Sequence, residues 1–338
     1  MKDYNYNLMS RYRTQLMGLA MLWVLFYHMS MTIHLPIISH LKQIGYGGVD
    51  IFLMLSSLGL YYSYQKGSNC LSFYKRRLKR IVPTYFPVVV GYYLLLYLLN
   101  LAPLKALFYN ATTLSFWLHT NYMFDWYIPA LIALYLIAPL VLSIFNKQTT
   151  PRSKYLMIGM FILASLSLSL LIIPSKFNYL IIFTSRIPIF LIGIIMGEWS
   201  KSNKAITSKH LLLHFVALII GLSVLFLFIN HFEPYLWRYG LWWWPFILIT
   251  PPLCIFSCLL LEMIMNVHSK TLGLFTFFGI LSLEIYLFHE RLLYLLTICF
   301  EPLGTIILNI IAILLALIFA YIWRKIINSF TSSKLINQ

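Results

Sequence analysis

Charge is what this chain of 338 residues has least of: only 10% are Asp, Glu, Lys or Arg, and just nine are acidic. A water-soluble globule needs about a quarter of its residues charged to cover its core, so a soluble fold is excluded. Cysteine is scarce as well. Cys70, Cys254, Cys258 and Cys299 show no ligand-type spacing beyond an i, i+4 pair inside an apolar stretch, so neither a disulfide framework nor a metal site is indicated. No linker, internal repeat or appended soluble domain is evident, and residues 1–338 read as a single membrane-embedded unit.

What the chain has is apolar sequence: 61% hydrophobic residues and a mean hydropathy of +0.82. In hydrocarbon each long apolar stretch must satisfy its own backbone hydrogen bonds, which selects helices. A β-barrel is excluded, because the stretches are too long and continuously apolar to alternate inward and outward. The segment from Met17 to Met31 is apolar but lacks a following small-residue cleavage site, so it reads as a span and not a cleaved leader. The expected class is all-α and polytopic, with about ten transmembrane helices in one bundle. Roughly 20-residue windows place them near 14–34, 46–64, 81–101, 124–145, 155–173, 179–199, 211–230, 241–265, 271–289 and 303–324. Segment 107–123, with His119 and Asn121, reads as a re-entrant or interfacial lead-in to the fourth helix.

The net charge of +16 does not mark a nucleic-acid binder, since the basic residues sit between spans and form no domain of their own. Their sidedness is informative. With ten spans, nineteen of the 25 Lys and Arg fall on one side, including Lys2, Arg11, Arg13, the run Lys75 to Arg80, Lys270 and Arg324. Five fall on the other side: Lys42, Lys105, Lys176, Arg238 and Arg291. Arg186 lies inside a span. Cytoplasmic loops retain positive charge, so both termini are expected in the cytoplasm of a multi-pass cell-membrane protein.

Ionisable groups within spans are functional hypotheses by default. On this topology His28 lies in the outer half of the outward first helix, Asp50 opens the second, Asp125 opens the fourth, and Arg186 lies about two turns into the sixth. Glu284 and His289 close the ninth, with Glu290 just beyond. These segments, remote in sequence, bring polar chemistry to one depth on the far side. Each also has a plainer reading: an interhelical hydrogen bond for His28, a helix N-cap for Asp50, an ion pair for Arg186, an interfacial anchor for His289. The run Trp242 to Trp244 reads as an aromatic belt. The basic run Phe73 to Arg80 reads as an insertion signal, or as a phosphate-binding patch for a cytoplasmic cosubstrate.

At these residues the sequence resembles acyltransferase family 3, a group of integral membrane O-acyltransferases, over about residues 10–325. Met17 to His28 is similar to the family's first-helix motif ending in its catalytic histidine. Gly48 to Ser56, Phe73 to Pro83, Trp126 to Pro139, Arg186 to Gly193 and Ser282 to His289 resemble further blocks. The resemblance implies transfer of an acyl group, acetyl foremost, from acetyl-CoA or another acyl-CoA co-substrate, with no permanently bound cofactor. The expected acceptor is a hydroxyl of a cell-surface glycan or its lipid-linked precursor.

Expected catalytic residues are His28 as base or acyl carrier, Asp50 or Glu284 orienting it, and His289 as a second histidine. Arg186, Arg13 and Trp126 are expected to bind substrate, and Lys75, Arg76, Arg77 and Arg80 the donor. Three positions depart from the pattern: Met17 where an arginine is common, with Arg13 a turn nearer the cytoplasm; Leu131 where many members are acidic; and Ser57 in place of a glycine. The rival reading is a transporter or lipid-glycan flippase, in which the same buried charges form a substrate pathway. A non-catalytic scaffold is a third.

Overall fold

The computed structural model describes residues 4–67, 69–173, 178–265, 271–300 and 305–336. Among these the chain is helical, with a single isolated β-bridge between Asn5 and Ala205. Lys2, Lys176 and Lys270 of the charge partition lie outside the described residues. The main helices are α1 (Arg13–His28), α2 (Pro36–Gln43), α3 (Gly48–Tyr64), α4 (Cys70–Leu98), α5 (Tyr127–Lys147) and α6 (Pro151–Ser167). They continue with α7 (Ile187–Lys201), α8 (Ser208–His231), α9 (Phe246–Met265), α10 (Thr271–Ile280), α11 (Ser282–Cys299) and α12 (Thr305–Ile336).

Among the described residues seven helices are long and apolar enough to cross a membrane, and two bent pairs, α2 with α3 and α10 with α11, raise the number to nine. The remaining expected span is α1. It has only 16 residues because the chain turns extended at Met29, directly after His28. The protein is therefore a multi-pass membrane protein. The outward faces agree: α8 is exposed along most of its length through Leu212, Phe215, Ile219 and Phe226, an apolar surface suited to lipid.

Two expectations about spans are corrected. The ninth is not a straight helix over 271–289 but breaks at Leu281, where α10 and α11 meet at 73°. The cause lies in packing. α10 crosses α1 so closely that a methyl group on Gly18 would overlap the Phe275 carbonyl, and one on Gly279 would overlap the Thr14 carbonyl. Such small-residue crossings let backbones meet in lipid. α11 then leaves at a new angle, and Ser282 Oγ satisfies a carbonyl freed by the bend by donating to Gly279 O at 2.9 Å. The third span begins earlier than residue 81. Asn69 caps α4 by accepting from Ser72 N at 2.8 Å, so the basic run lies on the first turns of the spanning helix itself.

The lead-in at 107–123 holds two short helices, Leu104–Ala111 and Leu114–Trp117, and no span. Fully buried Asn110 organises it. Its Oδ1 accepts from Ser115 Oγ and from Phe124 N, both at 2.7 Å, and its Nδ2 donates to Tyr122 O at 2.6 Å. Irregular backbone at membrane depth is tolerated when buried and satisfied in this way. Its consequence is that Phe124, Asp125 and Trp126 are held rigidly at the far end. At the centre, α3 packs on α7, where Gly193 leaves no room for a Cβ against Ser57 and the Met54 carbonyl. The serine that departs from the family pattern thus fills the notch of a glycine opposite.

Candidate active site

Among the described residues two cavities bear on the predicted site residues. The outer, about 520 Å³, opens at the far end between α1, α3, the start of α5, the Ile181–Ile187 segment, the Trp242–Trp243 turn and α11. The inner chamber, about 60 Å³, lies deeper, toward the end that carries the basic run of α4.

His28 lines the outer cavity, and its hydrogen bonds fix its tautomer. His28 Nδ1 lies 2.9 Å from Val24 O and 3.3 Å from His289 Nε2. His289 Nδ1 lies 3.0 Å from Ile285 O and 2.9 Å from Tyr286 O. Carbonyl oxygens only accept, so both Nδ1 atoms carry the proton. In the neutral pair the one hydrogen of His28 Nδ1 is shared between Val24 O and the more distant His289 Nε2, and the lone pair of His28 is on Nε2. Helix geometry makes this possible: both histidines sit one turn beyond a carbonyl on their own helix, α1 and α11. The chain after His28 is also pinned, because Ser30 N donates to Asn309 Oδ1 on α12 at 3.0 Å.

Arg186 sits at the break between Ile181–Thr184 and α7, only 2% exposed. Its guanidinium lies between two indoles, 4.4 Å from the Trp126 ring and 4.5 Å from the Trp243 ring. Its Nε is 3.9 Å from Asp50 Oδ1, and it donates to Ile182 O at 3.1 Å. The weak hydration and flat faces of a guanidinium suit such a slot. Asp50 is the third residue of α3, where a carboxylate also complements the helix dipole, so the cap-like and site readings coincide.

Asp50 therefore serves Arg186 and not His28. Glu284 is not brought to the histidines either: it is fully buried, accepts from Arg324 on α12 at 3.1 Å, and lines neither cavity. The bend at Leu281 turns its side chain toward α12. Trp126 is in the outer cavity as expected.

Several lining residues went unrecognised. Trp243 is not part of an aromatic belt; it is 5% exposed and stacked on Arg186. Tyr46 donates to Trp242 O at 2.8 Å and ties the Gly45–Gly47 turn to the tryptophan run. Arg291 donates to Phe124 O, lies 4.8 Å from the Phe124 ring and pairs with Glu290 at 3.2 Å. Asp125 Oδ1 accepts from Ile128 N at 2.7 Å and so starts α5. Asp125 and Glu290 were already legible as ionisable groups at this depth, and for Arg291 the signal was its place two residues after His289.

The inner chamber is lined by Arg13 and Arg80 at one end and Tyr127 and Tyr286 at the other, with Met17, Phe52, Ser56 and Leu131 between. Arg13 donates to Leu55 O at 3.1 Å, and no carboxylate is among the lining residues. Met17 and Leu131, two of the three departures, face this same chamber. Arg76 reaches Ser63 Oγ at 3.4 Å, Arg77 lies 5.6 Å from the Phe73 ring, and Lys75 is exposed on the same turns. Arg13 and Arg80 are thus separated from the outer site, with Arg13 about 22 Å below His28 along α1.

The model of the acyltransferase 3 family, described as an acyltransferase domain, matches residues 15–324. No curated protein and no solved structure matches the chain.

Proposed function

Because the chain belongs to the acyltransferase 3 family, we propose that it moves a short acyl group, acetyl foremost, from a coenzyme A thioester to a hydroxyl of a cell-surface glycan or its lipid-linked precursor. The donor arrives at the basic, cytoplasmic end, where both termini lie, and the acceptor at the far end. The observation that carries this reading is the Nε2 of His28, left as the acceptor nitrogen by the Val24 carbonyl at Nδ1 and backed by His289, at the wall of a 520 Å³ cavity.

The acceptor hydroxyl gives its proton to His28 Nε2 as its oxygen attacks the thioester carbonyl carbon. The positive charge formed on the imidazole is shared through Nδ1–H with His289 Nε2. The carbon–sulfur bond then breaks, the sulfur takes the proton back from Nε2, and an ester and a free thiol leave. His289 acts on this step as a positioning residue. Arg186, fixed by Asp50 and the two indoles, stabilises negative charge on the carbonyl oxygen or binds an anionic group of the acceptor. The aromatic walls of Trp126, Trp242 and Tyr46 suit the flat faces of a sugar ring.

Arg13 and Arg80 meet the donor's phosphates, and Arg13 supplies the cation that Met17 does not. Lys75, Arg76 and Arg77 add field at the same entrance. Glu284, bound to Arg324, holds α11 on α12 and takes no part in the chemistry.

The test is thioester consumption. Inverted membrane vesicles carrying the protein, given acetyl-CoA, should release free thiol and acylate their endogenous glycan; vesicles without it should do neither. Thioester that stays intact while a glycan crosses the membrane would mark a transporter instead.

A further inference from the structure

The two cavities share one lining residue, Tyr286. It lies on α11 one turn before His289, its ring 5.8 Å from the His289 ring, and meets Tyr127 at the head of α5 with ring centroids 5.1 Å apart at 64°. On one side of its ring is the chamber that ends in Arg13 and Arg80; on the other is the cavity that holds His28 and Arg186. Tyr286 is the residue common to the lining of both.

We infer that Tyr286, braced by Tyr127, is the partition that selects the acyl group by cross-section. The inference rests on the reading that the donor enters from the basic end. A thioester entering that way presents the alkyl end of its acyl group first, then the carbonyl, then the sulfur. The whole acyl group therefore passes Tyr286 before its carbonyl reaches His28 Nε2. The chamber below is only about 60 Å³, and two rings in contact, Tyr127 and Tyr286, stand in its wall next to the outer cavity. A slender acetyl group passes beside the phenol, whereas a branched or aromatic acyl group meets the ring. No bond is made or broken at Tyr286.

The experiment compares acetyl-CoA, isobutyryl-CoA and benzoyl-CoA in inverted membrane vesicles, reading thiol release per unit of protein. The parent should prefer acetyl over both bulky thioesters by about tenfold or more, the size of discrimination that shape at a pocket wall delivers. Tyr286→Phe, which keeps the ring, should keep the parent's ratio. Tyr286→Ala, which joins the cavities, should bring the ratio to within about threefold of unity. Tyr286→Leu repeats the test with a side chain that preserves apolar packing, should the alanine variant accumulate poorly.

An unchanged ratio in both Tyr286→Ala and Tyr286→Leu overturns the inference, as does a parent that takes all three thioesters equally well. Loss of all three activities in both variants also overturns it, since Tyr286 then serves the chemistry and not the selection. A parent that consumes no thioester at all overturns the acyl-transfer reading itself, a different failure from acetyl-CoA consumption with an unaltered ratio.

Discussion

In the outer cavity each arginine has an acidic neighbour: Arg186 pairs with Asp50, and Arg291 with Glu290. In the inner chamber Arg13 and Arg80 share a wall with no carboxylate among its lining residues. The Arg186–Asp50 pair is desolvated and holds a shape, because removing either partner leaves a costly buried ion, whereas the half-exposed Glu290 beside Arg291 adds little beyond local charge balance. Cations without acidic partners leave positive field for an arriving anion. The outer site is thus a rigid frame around one free nitrogen, and the inner site is an open electrostatic seat.

The strongest way to break this contrast is at the free nitrogen. His28→Gln keeps approximate volume and hydrogen-bonding capacity but cannot carry the proton, so acyl transfer should fall by ~10²- to 10⁴-fold. The protein should still reach the membrane in near-normal amounts, measured by immunoblot alongside glycan acylation. A variant retaining more than about a tenth of the parent rate, less than a general base usually contributes, would end the catalytic role of His28.

The frame itself is tested by Asp50→Asn. That change leaves the Arg186 guanidinium in its indole slot without a counter-charge, and breaking a buried pair of this kind costs about 3–5 kcal/mol. Thermal unfolding in detergent should show the loss. Arg80→Gln, at the other cavity, should leave the unfolding temperature unchanged. Equal stability of the two variants would mean that the cavities are not built on different principles.

How much of this was legible in the sequence follows the same divide. His28, Asp50, Arg186 and His289 could be found because an ionisable residue in an apolar run stands out and because alternating span direction places each at one depth. Their partners could not. Asp50 reaching Arg186 rather than His28 depends on which way α3 faces α7, and hydropathy carries no facing information. Glu284 meets Arg324 across 40 residues only because the helix bends at Leu281, where Gly279 and Ser282 permit a break but do not say in which direction it turns. Trp243 looked like its neighbours in a run of three, yet one of them caps a buried cation. The inner chamber was invisible, since most of its lining is ordinary apolar sequence brought together by packing.

Met17 and Leu131 offer a subtler test, because both face the inner chamber from different helices. Met17→Arg puts a third cation beside Arg13 and Arg80, one turn inside α1, and should destabilise the protein by up to about 2.5 kcal/mol, below the scale for a charge at the helix centre. Adding Leu131→Glu supplies an opposite charge at the same chamber and should restore much of that loss. Melting temperatures of the two single variants and the double variant decide the matter. Strict additivity would show that the positions do not communicate.

The smallest expected effect separates the entrance from the chamber. Arg80 lines the chamber and is exposed, whereas Lys75 is exposed on the same helix and lines neither cavity. An ion pair at an exposed site contributes about 0.2–1 kcal/mol, so Arg80→Gln should raise the KM for acetyl-CoA by up to about fivefold with kcat little changed. Lys75→Gln acts only through the general field, which a Debye length of about 8 Å at physiological salt largely screens. Its KM should move by less than about twofold, and added salt should erase that shift before it erases the difference made by Arg80. Equal effects from the two residues would mean that the basic run attracts the donor as a whole and that the chamber has no phosphate seat of its own.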